Sequence, residues 1–200
     1  RSWNDPEADR HLSELFHRKK VTLHVDGFSN PVDYLVDAEY LARVRFESLR
    51  HVSATLEQGE LDDLRDRLEI PEHVLAKLAG DEKRNLLILD RLEQIVRDHS
   101  RVILFAATVE HAYLLSTVLN ARGVRASALT AASDRSTRSR LIAEYKSSAR
   151  PAHVLCNYGV LTTGFDAPRT SAAVIARPTR PLVLYSQMIG RAIRGPRAGG

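Results

Sequence analysis

The sequence predicts an α/β fold in which a parallel sheet is covered by helices on both faces. Three observations carry that reading. Short apolar runs alternate with longer segments of helical periodicity over the C-terminal half and more, which is the pattern of successive βαβ units. The clearest run, Val102-Ile103-Leu104-Phe105, has no polar alternation, as expected of a strand buried on both faces. The unusual polar segments fall where such runs end, and ligands of parallel sheets bind beyond the carboxyl ends of the strands.

The N-terminal part reads as partly helical. A helix over residues 6–18 places Leu12, Leu15 and Phe16 on one side, and residues 21–25 alternate like a short strand. Gly27 to Pro31 forms a turn, with Asn30 as N-cap and Pro31 opening a helix that turns Val32, Leu35 and Val36 inward. A strand over residues 42–46 is expected next. Residues 55–80 are helical in two pieces divided at Ile70-Pro71, with stripes of Leu61, Leu64 and Leu68, then Val74, Leu75 and Leu78. Asp81 caps a longer helix whose inner face is Ile88, Leu89, Leu92, Ile95 and Val96. Beyond it come strands over 102–105, 124–129, 152–156 and 172–176, and helices over 107–121, 134–146 and 185–194.

Of the 200 residues 44% are hydrophobic, enough for a sizeable core and against wholesale disorder. The 29 Lys and Arg against 25 Asp and Glu give a formal charge of +4, too modest to prove a nucleic-acid partner; its distribution says more. Glu57, Glu60, Asp62, Asp63, Asp66, Glu69 and Glu72 face only Arg65 and Arg67, whereas Arg177, Arg180, Arg191, Arg194 and Arg197 have no acid among them. The acidic run reads as solvated surface or a contact with another domain.

Cys156, in the run His153-Val154-Leu155-Cys156, is the only cysteine. It reads as a core thiol, and its solitude excludes a disulfide framework or a cysteine-rich zinc site. No apolar run approaches the roughly 20 residues that cross a bilayer, and no signal peptide opens the sequence; a cytoplasmic protein without a membrane partner is expected. The opening Arg1 and closing Gly199-Gly200 suggest a piece of a longer protein.

Four segments can carry chemistry. In Phe105 to Ala112, Thr108 lies between a buried strand and a helix, where its hydroxyl can cap free amides or leave others facing an anion. His111 reads as outward or partner-facing, since no second ligand stands at a metal-binding spacing. In Leu129 to Arg140, Arg135, Arg138 and Arg140 crowd the first turns of a helix. Cations are unfavourable there, so an anionic partner such as a phosphate would explain them; ordinary surface arginines are the alternative.

The third segment, Asn157 to Pro168, holds Asn157, Thr162 and Thr163 as neutral donors to phosphate, with Gly159 and Gly164 allowing close backbone approach. Asp166 can accept a hydrogen bond from a ribose hydroxyl, orient an arginine, or simply cap a turn. In the fourth, Gln187, Gly190, Arg191 and Arg194 stand at i, i+3, i+4 and i+7 on one face of the expected last helix. Two guanidinium forks so placed suit the charge that develops on a transferring phosphoryl group; solvated arginines are again the alternative. No Gly-x-x-x-x-Gly-Lys-Ser/Thr loop and no paired-acid strand end accompany them, so the arginines would have to act across an interface.

Together these residues resemble the second, C-terminal RecA-like domain of superfamily-two DEAD/DEAH-type helicases, in the branch of excision-repair and restriction-type translocases. Phe105 to Ala112 looks like motif IV, and Leu129 to Arg138 like the segment after it, with Ala131 where that family usually has glycine. Asn157 to Pro168, with Thr163-Gly164-Phe165-Asp166 at its centre, looks like motif V, and Gln187-Met188-Ile189-Gly190-Arg191-Ala192-Ile193-Arg194 matches the Gln-x-x-Gly-Arg-x-x-Arg form of motif VI. The resemblance implies a RecA-like three-layer sandwich over residues 85–200, preceded by the tail of a first RecA-like domain and crossover over 1–50 and a helical linker or accessory insertion over 51–84.

It further implies a division of labour. Gly164 and Asp166 approach the nucleotide, Asp166 near its ribose. Arg194 acts as arginine finger with Arg191 beside it, and Gln187 positions phosphate or water or couples the domains. Thr108, Asn157, Thr162 and Arg138 hold backbone phosphates of DNA, or of RNA. ATP and Mg2+ are the expected cofactors of the full-length protein, bound mainly by an N-terminal RecA-like partner domain; no metal site and no ATPase activity are expected of these 200 residues alone. A RecA-like scaffold that never closes on ATP is the other class to weigh, while a dehydrogenase or methyltransferase lacks its early Gly-x-Gly-x-x-Gly turn.

Overall fold

The computed structural model describes residues 24–50, 69–147, 151–160, 165–179 and 181–200, with the single residues Arg10, Glu14, His17 and Glu60. The helix expected over 6–18, most of the strand over 21–25 and the first helical piece of 55–80 fall largely outside the described residues. Helix α1 (Pro31–Asp37) begins as expected: Asn30 Oδ1 accepts from the Val32 amide at 3.0 Å and Pro31 fills the first helical position. Val32, however, is 50% exposed and α1 buries no residue fully. Seven residues make two turns, and the aromatic contact is local, Phe28 meeting Tyr34 edge-on at 5.4 Å. The strand expected over 42–46 does not form; in this stretch only Leu41 makes a β-bridge, antiparallel to Arg194.

Pro71 presets the backbone before α2 (Glu72–Ala79), which buries Val74 and Leu75. The carboxylate of Asp81 then accepts from the Arg84 amide at 3.0 Å and starts α3 (Glu82–Asp98). Four strands follow: β1 (Arg101–Phe105), β2 (Ala126–Thr130), β3 (His153–Tyr158) and β4 (Ala172–Ile175), in the spatial order β2-β3-β1-β4 with every pair parallel. Between them run α4 (Val109–Ala121) and α5 (Arg135–Lys146), and α6 (Leu182–Ile189) comes after β4.

The period-two geometry of β1 sorts the core into two layers. Val102 and Leu104 face Ile88, Leu89 and Leu92 of α3 and Ala112, Leu115 and Leu119 of α4. Ile103 and Phe105 face Leu141 and Tyr145 of α5, Met188 of α6, and Phe165. Each fully buried leucine contributes roughly 2 kcal/mol. The result is helix, parallel sheet, helix: the three-layer α/β architecture expected from the alternation. Cys156 lies inside it, and burial pushes its thiol up to about 12, so it is an inert core residue.

Two boundaries move in ways that matter for the site. Strand β3 runs through Asn157 and Tyr158 because their backbones stay in register with β1 and β2; the Asn157 carbonyl accepts from the Ala106 amide at 2.8 Å. Helix α6 ends at Ile189, with Gly190 as its C-cap, instead of continuing to Arg194. Tertiary pairing takes over there, the Ile193 carbonyl accepting from the Ala42 amide at 2.9 Å.

Candidate functional site

The polar segments gather at the carboxyl ends of the strands. After β1, Thr108 caps α4, its Oγ1 accepting from the His111 amide at 3.1 Å. The His111 side chain is not outward-facing as expected: it is 1% exposed. Its Nδ1 accepts from the Ala107 amide at 3.1 Å, so Nε2 carries the proton and donates to Asn85 Oδ1 at 2.9 Å. Asn85 Nδ2 in turn donates to the Ala79 carbonyl at 2.7 Å. Burial first, and the charge of Arg84 second, push the imidazole down to about 4, so it is neutral at neutral pH. This relay ties the Thr108 loop to the junction of α2 and α3.

After β2, Asp134 caps α5 by accepting from the Ser136 hydroxyl at 2.6 Å and the Thr137 amide at 2.9 Å, bonds that hold its carboxyl well below the usual range. Arg140 pairs with Glu144 at 3.0 Å, and Arg125 meets the same carboxylate at 2.9 Å. Arg138 is half-buried, with Nη2 at 3.4 Å from the Ser133 carbonyl; Arg135 is exposed. After β4, the Arg177 guanidinium lies 5.4 Å from the Tyr158 ring centroid, walling the crevice that Asn157, Gly159, Leu184 and Met188 also line.

After β3, Asn157 is 1% exposed, and its Oδ1 accepts from the Val160 amide at 3.2 Å while Gly159 takes a left-handed φ of 72°. Thr162, Thr163 and Gly164 lie outside the described residues. Phe165 is buried and Asp166 projects outward. Here the third and fourth segments meet. Arg191 Nη1 donates to the Phe165 carbonyl, and Arg194 Nη2 lies 2.8 Å from Asp166 Oδ1. The two arginines do not share a helical face, because α6 has already ended; a turn through Gly190 brings them instead onto consecutive residues of the neighbouring loop. Gln187, half-buried, sits in the last turn of α6.

Residues 87–196, running from α3 through all four strands to just past Arg194, match the family described as "Helicase conserved C-terminal domain". The chain belongs to that family. It is 23% identical over 181 residues to a "51.5 kDa protein" of a Lactococcus phage (isolate 7-9), covering 84% of this chain and 37% of that protein. It is 25% identical over 162 residues to the Saccharomyces cerevisiae (strain ATCC 204508 / S288c) protein named "Putative ATP-dependent helicase IRC3", covering 80% of this chain and 22% of that one. The chain thus spans well under half the length of either relative. Among solved structures it is similar to the C-terminal domain of the DEAD-box protein Dbp5, at 26% identity and a TM-score of 0.47 over 56% of this chain and 63% of that one.

In this helicase C-terminal domain, related to those of superfamily-two helicases, the matched region holds every candidate site residue from Thr108 to Arg194. The structure brings Asp166, Arg191 and Arg194 together, and sets Thr108 and Asn157 at the ends of the adjacent strands β1 and β3. Arg138 belongs to α5, beyond the strand at the sheet's edge. Sequence reasoning missed Asn85 and residues 39–42. Asn85 had a signal: it is a polar residue on the buried stripe of α3, three positions before Ile88. Residues 39–42 had none, because the hydrogen bonds that hold them to residues 193–197 run from backbone to backbone. Among the described residues no helix is long and apolar enough to cross a membrane.

Proposed function

We propose that this domain is the arginine-finger half of an ATP-driven nucleic-acid motor, the ATP-binding phosphate loop and magnesium site being supplied by an N-terminal RecA-like domain of the same protein. The observation that carries the reading is the pairing of Arg194 with Asp166 at the rim of the domain. The Arg194 side chain is 37% exposed and that of Asp166 62% exposed, and among the described residues Asp166 is the only side chain holding the Arg194 guanidinium. An ion pair so exposed is worth at most about 1 kcal/mol. Asp166 can therefore keep Arg194 extended toward a facing domain and release it at little cost.

These residues fit a nucleotide presented from outside. Arg194 has further N–H donors for an anionic oxygen, while Arg191, turned onto the Phe165 carbonyl, fixes the loop that carries Asp166. ATP with its Mg2+ would supply the phosphoryl group and the charge that an arginine finger offsets. Asp166 and Gly164 would lie on the nucleotide side of that loop, and Gln187 would couple α6 to the facing domain. Strand phosphates of DNA or RNA would meet Thr108, Thr162 and Arg138. Asn157, being buried, would act by holding Val160 and so the shape of the loop. Contacts of this kind carry little base specificity.

The test is steady-state hydrolysis by the full-length protein. Arg194→Ala should lower kcat by roughly 10³-fold, with nucleic-acid binding retained. Turnover near wild type would exclude the finger assignment and favour a scaffold that never closes on ATP.

A further inference from the structure

We propose that residues 39–42 form a backbone strap that positions Arg194, and that Gly195 is the residue that lets the strap close. The inference rests on the reading of Arg194 as the finger. Its side-chain pairing with Asp166 is too exposed to fix the main chain from which it extends; the strap, distant in sequence but lying against residues 193–197, does that. Leu41 bridges Arg194 directly. The Ala42 amide donates to the Ile193 carbonyl at 2.9 Å and the Gly195 amide to the Tyr40 carbonyl at 3.0 Å, one bond on each side of the arginine. The Arg197 amide adds a third, to the Glu39 carbonyl at 3.1 Å, and the Arg197 guanidinium lies 4.7 Å from the Tyr40 ring centroid.

Gly195 is required by space. Its φ of −84° suits any residue, but a Cβ there would stand 2.2 Å from the Glu39 carbonyl oxygen and 2.7 Å from its carbon. Those are backbone atoms and cannot swing aside. Glu39 itself holds a left-handed φ of 62°, a conformation that costs an L residue on the order of 1 kcal/mol and turns the chain into the strap. A side chain at 195 must push the strap and the Arg194 backbone apart. A displacement of about 1 Å is enough to cost roughly 10²-fold in a reaction that depends on alignment.

In the full-length protein, Gly195→Ala should lower kcat about 10²-fold with little change in the KM for ATP. Tyr40→Ala, which removes only the ring beneath Arg197, should give a smaller loss in the same direction. Gly80→Ala serves as the control, since a Cβ there meets the Ala76 oxygen at an ordinary 3.6 Å. On an Arg194→Ala background, Gly195→Ala should cause no further loss, because the group it positions is gone. Losses that multiply in the double variant would mean that Gly195 acts through general stability, and would overturn the strap. Full activity of Gly195→Ala beside a crippled Arg194→Ala would overturn the strap and leave the finger standing. An active Arg194→Ala would remove both.

Discussion

Acidification from pH 7 to pH 5 should destabilise this domain by about 2 kcal/mol through His111 alone. In the unfolded chain its imidazole titrates at the ordinary 6.5; in the native fold it is pushed down to about 4. Between those values the unfolded chain binds a proton that the folded one refuses, so stability rises with pH. The contribution is fully present above 6.5, is lost as pH falls toward 4 and changes no further below that. Over the whole window the shift amounts to about 3 kcal/mol. The structural cause is burial of the imidazole first and the nearby Arg84 charge second, and protonating Nδ1 would also set it against the Ala107 amide that it now accepts from. Urea unfolding of wild type and His111→Gln at both pH values isolates the term, since other groups contribute equally to each. The imidazole Cε1 proton, followed by NMR, should titrate near 4. A midpoint near 6.5, or an equal loss of stability in both proteins, would refute the relay between Asn85, His111 and the Thr108 loop.

Thr108→Ala should lower stability by about 1 kcal/mol through loss of the α4 cap, read by thermal unfolding. In the full-length protein it should weaken nucleic-acid binding with no change in salt dependence, whereas Arg138→Ala should reduce the slope of log K against log salt by about 1. Equal salt slopes for Arg138→Ala and wild type would remove Arg138 from the interface. Tyr145→Phe takes away the hydroxyl that lies 3.0 Å from Thr170 Oγ1 in the core. It should cost about 1–2 kcal/mol, and an unchanged unfolding midpoint would show the pair to be dispensable.

The layered architecture was legible because its signals are local. Apolar runs of strand length, Asn30 and Asp81 at N-caps, and the stripe Ile88, Leu89 and Leu92 all state their roles within one or two turns of chain. Most of the misplaced boundaries were decided by a partner distant in sequence. Asn157 reads as a loop residue by its polarity, but backbone register with Phe105 keeps it in β3. Residues 42–46 read as a strand, yet among the described residues the one bridge nearby is that from Leu41 to Arg194. His111 reads as exposed because one polar residue on a helix normally is, and its burial is sustained by the Ala107 amide at one ring nitrogen and the facing Asn85, distant in sequence, at the other.

The amino-acid sequence by itself determined that a parallel sheet would form and that Asp166, Arg191 and Arg194 would lie near its carboxyl edge, since strand order along the chain and residue type are both written in it. The tertiary structure alone decided how those three meet. Helical spacing predicted a shared face for Gln187, Arg191 and Arg194, but Gly190 ends α6 and the strap at residues 39–42 captures the backbone beyond it. The physical reason is that periodicity describes a chain bonding to itself within four residues, whereas the path of Arg194 is set by hydrogen bonds to Tyr40 and Ala42 that no local pattern can encode.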